Sequence, residues 1–133
     1  MAPGRDKAVP QAYELTIEER PHYLHAKVEG PRTPENAMRF LRESAEACRR
    51  LGRDSVLLEM NLAGPSLDTS SVFGVISKAT PSGLMLRRIA YVEPAPREPA
   101  RAEFAETIAK NRGVNVRLFR DVASAQAWLS EEL

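Results

Sequence analysis

Two hydrophobic periods alternate along this chain. From Tyr13, the apolar positions Leu15 and Ile17 alternate with Glu14, Thr16 and Glu18, and Leu24, Ala26 and Val28 alternate with Tyr23, His25, Lys27 and Glu29. A period of two marks strands with one half-buried face. Glu19, Arg20, Pro21 and His22 supply the turn between them, which predicts an antiparallel hairpin with one polar face. The period then changes. Thr33, Pro34 and Glu35 read as N-cap, first helical position and acidic first turn, and Ala37, Phe40, Leu41, Ala45, Cys48 and Leu51 follow at helical spacing as far as Gly52. Four-residue pairs such as Arg39 with Glu43 and Glu46 with Arg50 give this helix a solvated outer face.

Val56, Leu57 and Leu58 are consecutive and apolar, as in a strand covered on both sides. A loop through Gly64 and Pro65 leads to a helix that opens at Asp68 and buries Val72, Val75, Ile76 and Ala79, with Gly83 in the turn beyond. A second buried strand, Ile89 to Val92, runs into Glu93, Pro94, Ala95, Pro96, Arg97, Glu98 and Pro99, whose prolines reject helix until the last of them. The next helix is predicted from Pro99 to Arg112, with Phe104, Ala105, Ile108 and Ala109 as its buried stripe. Gly113 fits the position after its end, Val114 to Phe119 is the last strand, and Asp121 caps a final helix that turns Val122, Ala125, Trp128, Leu129 and Leu133 inward. The order is strand, strand, helix, then strand and helix three times. It predicts a single α/β domain over residues 13–133 after a flexible tail of residues 1–12, with a mixed five-stranded sheet, an N-terminal hairpin followed by parallel crossovers, and four helices.

Composition narrows the partners. The 133 residues suit one domain, and 19 Lys plus Arg against 18 Asp plus Glu leave a net charge of +1, too little field to draw in nucleic acid or an anionic membrane. The single cysteine, Cys48, has no partner for an internal disulfide and shares the apolar stripe of its helix, so it reads as a small buried hydrophobe. The first ten residues, MAPGRDKAVP, contain no apolar run, and no span is long enough for stable membrane insertion; a cytoplasmic protein is expected.

This element order, the strand-loop-helix from Ser55 to Ala79 and the closing run GVNVRLFRDVASAQAWL resemble the SpoIIAA-like or STAS superfamily over about Tyr13 to Leu133. That superfamily is named for anti-sigma factor antagonists and sulfate transporter tails. The closing run, through Val114, Val116, Phe119, Asp121, Ala125, Ala127, Trp128 and Leu129, is similar to a bacterial SpoIIAA-like branch. In the antagonists a strand leads to Asp-Ser-Ser-Gly at the start of the second helix, and a partner kinase phosphorylates the second serine. The matching run here is Asp68, Thr69, Ser70 and Ser71, which sets Ser70 at the phosphorylated position and Ser71 where the family carries glycine.

Asp68 to Ser71 therefore admit two readings. They form a phosphoacceptor or anion site favoured by the helix dipole and free amides, or a set of capping residues, with Asp68, or Ser66 one turn earlier, accepting from backbone amides. Leu62, Ser66 and Leu67 belong to the preceding loop, where apolar residues either anchor a partner or fold back onto the core. His22 and His25 lie in no metal-ligand spacing and pair with no nucleophile, and the glycines form no phosphate cradle, so no metal, no cofactor and no catalytic residue is expected. The resemblance implies a non-enzymatic regulatory or scaffolding domain that binds a protein partner through this loop and helix start. The alternative is a small-molecule or lipid-binding domain with a cleft between helices and sheet, as a related lipid-transfer branch suggests. The hairpin edge beginning at Tyr13 also invites a strand-pairing homodimer.

Overall fold

The computed structural model describes residues 13–93 and 99–131. The expected tail, the proline-rich stretch 94–98 with Arg97, and Leu133 lie outside the described residues.

The hairpin consists of β1 (Glu14–Glu19) and β2 (Leu24–Pro31), antiparallel from Glu14 opposite Glu29 to Glu19 opposite Leu24. α1 (Pro34–Leu51) begins where the Thr33 hydroxyl accepts from the Asn36 amide at 3.0 Å, and ends at Gly52, whose φ of 68° is the left-handed conformation that glycine adopts without strain. β3 (Ser55–Ala63), α2 (Thr69–Gly83), β4 (Arg88–Val92), α3 (Pro99–Asn111), β5 (Val116–Phe119) and α4 (Val122–Leu129) complete the chain. The strands lie in the order β1-β2-β3-β4-β5, with β1 antiparallel and the other four parallel. This is the predicted α/β architecture of five strands and four helices.

Three successive crossovers step across the sheet in one direction. Right-handed connections of that kind put their helices on the same face, and α1, α2 and α3 all cover the side to which Val56, Leu58, Met60 and Ile89 point. α4 returns alone on the other side, against Leu57, Ala90 and Val92. α2 leans on α1 and α3 rather than resting squarely on the sheet.

The structure corrects several sequence expectations. β3 is nine residues long and carries Glu59 and Asn61 on the α4 side. Gly83 ends α2 instead of forming a turn, and Pro81 sits inside its last turn. On α3 the fully buried stripe is Ala102, Ala105, Ile108 and Ala109, while Phe104 is half-buried, because the helix approaches its neighbours along its small residues. Trp128 is also half-buried. Its ring lies 5.7 Å from Phe119, and the Arg88 guanidinium stands 5.3 Å above it while donating to the Trp128 carbonyl. Arg88 thus places a buried cation at the C-terminal end of α4, where the helix dipole favours one.

Among the described residues no helix is long and apolar enough to cross a membrane.

Candidate functional site

A cavity of about 530 Å³ lies between α2 and the sheet. Its floor is Val56, Leu58, Met60 and Leu62 of β3 with Ile89 and Tyr91 of β4; α1 contributes Ala37, Met38, Leu41 and Ala45; the roof is Val72, Val75, Ile76 and Ala79 of α2. α3 closes the remaining side with Ala102, Ala105 and Ala109. The local sequence explains the space. Apart from the exposed Lys78, side chains no larger than Val or Ile line it from α2, and the apolar residues that α3 contributes are three alanines, too little volume to fill the gap under a helix held up by its two neighbours.

One end of this apolar chamber is polar, at the carboxyl edge of the parallel strands. Arg32 follows β2 and Glu93 follows β4, and their side chains, 10% and 6% exposed, pair at 2.7 Å. The Tyr91 hydroxyl donates to the second Glu93 oxygen at 2.9 Å. Arg32 also donates to the carbonyl of Leu62 at 2.8 Å and to that of Gly64 at 3.4 Å, while its own amide donates to the Ala63 carbonyl at 2.7 Å. Gly64 turns the chain out of β3 with φ of 107°, a value open to glycine and strained for other residues. Burial, with the Glu93 carboxylate alongside, pushes the Tyr91 phenol far above its ordinary range, so it remains a hydrogen-bond donor.

The loop residues singled out in the sequence divide between cavity and surface. Leu62 belongs to β3 and is buried in the core, so of the two readings open for the loop it takes the second: it folds back onto the sheet and lines the chamber. Ser66 and Leu67 are half-buried and line the same chamber beside Arg101, which donates to the Leu67 carbonyl at 2.5 Å. Asp68 is the N-cap of α2, accepting from the Ser71 amide at 2.7 Å. That bond, with a smaller contribution from Arg101, holds its carboxyl below the usual range. Thr69 and Ser70 are exposed, and Ser71 is half-buried.

Other titratable groups lie elsewhere. His25, expected on an open polar face, is mostly buried and meets Glu59 at 2.9 Å, because the neighbouring longer β3 brings Glu59 alongside. Cys48 is buried in α1, and desolvation pushes its thiol up to about 11. Among the described residues, no three His, Cys, Asp or Glu side chains converge as a metal-ligand set.

The Arg32, Tyr91 and Glu93 cluster escaped the sequence reading. Its signal was a charged residue directly after each of two parallel strands, but the pair is 61 positions apart and only the sheet order brings it together. The chain matches no protein-family model and no curated protein.

Proposed function

We propose that this protein is a non-enzymatic binding domain that holds a small, largely apolar ligand between α2 and the sheet. The observation that carries this reading is the cavity itself, whose volume of about 530 Å³ falls among those of small-molecule sites, roughly 300–1,000 Å³. Its aliphatic walls with one polar end also have the usual composition of such sites. Binding rather than turnover is supported by the state of the polar groups, since Arg32, Tyr91 and Glu93 are engaged with one another.

An apolar fluorophore that brightens on leaving water tests the reading. Saturable binding by the wild type, lost in Ala105→Phe with its circular dichroism unchanged, is the expected result. Absence of binding by the wild type, or equal binding by the filled variant, overturns it.

A second reading has its own observation. Thr69 and Ser70 expose their hydroxyls beside the Asp68 cap, at the helix start that in the SpoIIAA-like resemblance meets a protein partner. There, phosphorylation at Ser70 switches partner affinity. Equal affinity of Ser70→Asp and Ser70→Ala for a captured partner removes this reading and leaves the first intact.

A further inference from the structure

We infer that the cavity selects a ligand with one uncharged hydrogen-bonding group, a hydroxyl or primary amide on an apolar body, and disfavours the carboxylate or ammonium of the same body. This rests on the cavity being a ligand site. The charge at its polar end sets this preference. Arg32 and Glu93 are both about nine-tenths buried and pair at 2.7 Å, so together they present no net charge to the chamber. A carboxylate brought there gains Arg32 but meets Glu93 beside it, and an ammonium meets the reverse. Each also loses hydration in a chamber whose remaining walls are largely aliphatic.

A neutral group that both donates and accepts faces no such conflict. Arg32 has five N–H groups, of which three are engaged, with Glu93 and with the carbonyls of Leu62 and Gly64. Each Glu93 oxygen accepts one bond, from Arg32 or from Tyr91, and retains further lone-pair capacity. The Tyr91 oxygen, whose own hydrogen is directed at Glu93, accepts. Donors and acceptors therefore stand side by side at one end of an apolar space, which a hydroxyl or amide matches and an ion does not.

The remaining charges along the cavity do not reverse this. Arg42 and Lys78 are exposed, where water and salt weaken their hold on a ligand. Glu106 accepts from the Leu118 amide at 2.9 Å and pairs with Lys110 at 3.5 Å. Arg101 donates to the Leu67 carbonyl and acts on the nearby Asp68 carboxylate, whose charge offsets its own.

The test is displacement of the bound fluorophore from wild-type protein, near neutral pH, by the 1-alkanol, primary amide, carboxylate and ammonium of one medium chain length, each below its aggregation threshold. The alkanol and amide are expected to bind about tenfold or more tightly than either ion, a factor equal to about 1.4 kcal/mol. Glu93→Gln, checked for folding by circular dichroism, leaves Arg32 uncompensated and is expected to move the preference towards the carboxylate. If the carboxylate equals or beats the alkanol on the wild type, the inference falls, the rim cations Arg42 and Lys78 govern selection, and the binding reading survives. If the fluorophore never binds, both fall.

Discussion

The two faces of the sheet are built from alternate residues of the same strands, yet one is filled and the other is hollow. On the α4 side Leu57, Ala90 and Val92 meet Ala125 and Leu129, and Phe119, Trp128 and Arg88 close the margin. On the opposite side three helices cover Val56, Leu58, Met60 and Ile89 and still leave about 530 Å³. Helix number does not decide filling. A single helix laid directly on the sheet closes its interface, whereas α2, propped on α1 and α3, spans a gap that its own small residues do not reach across. The hollow side also holds the buried ion pair, so its largest energetic liability is polar.

Breaking that pair is therefore expected to have the largest effect. Glu93→Gln strands a buried guanidinium and is expected to destabilise by about 3–5 kcal/mol, whereas Arg32→Met with Glu93→Leu recovers most of the loss. Urea unfolding of the three proteins measures this, and equal losses in single and double variants contradict it. Next are truncations on neighbouring residues of β3. Leu57→Ala opens a new hole on the filled face and is expected to cost about 3–5 kcal/mol, while Leu58→Ala widens an existing space and is expected to lie near the lower end of the usual 2–5 kcal/mol range. Equal losses would show that the hollow face is packed as tightly as its opposite.

Enlargement reverses the order. Ala125→Leu, at a fully buried position against the sheet, overpacks and is expected to lose about 1–3 kcal/mol. Ala105→Leu points into the chamber and is expected to be slightly stabilising, so thermal melts of the two variants should shift in opposite directions. A further effect is alkaline. Cys48, on the hollow side, has its thiol raised from about 9 to about 11, chiefly by burial, with Arg53 opposing and Asp54 adding. The unfolded chain ionises this thiol first, so its contribution to stability is complete below about pH 9 and disappears as the pH rises through about 11. The wild type should lose more stability across that window than Cys48→Ala, and parallel decline of the two excludes the assignment.

Most of the architecture was legible because each element carries its own local signal. Thr33 and Gly52 mark both ends of α1, Asp68 and Asp121 mark helix starts, and the change from period two to helical spacing separates β2 from α1. The chamber was illegible for a physical reason: Ala102, Ala105 and Ala109 read equally well as the face of a close-packed helix, and only the standing height of α2 turns them into walls. Large residues misled in the same way. Phe104 and Trp128 have the greatest apolar area to hide, yet both remain half-buried while smaller residues take the centre. At the candidate site, Ser66 and Leu67 follow closely after β3 in the sequence and line the chamber, but Arg32, Tyr91 and Glu93 needed strand order to become neighbours.

The lean of α2 on its two neighbours also has a kinetic consequence. A helix with little direct hold on the sheet, and with Pro81 depriving the Ser77 carbonyl of its helical donor, is the segment that opens at least cost. Its amides should exchange with solvent ahead of those in β3 and α1. If the chamber takes an apolar guest as proposed, occupancy should slow the same exchange, and the protection of α2 becomes a gauge of whether the chamber is full.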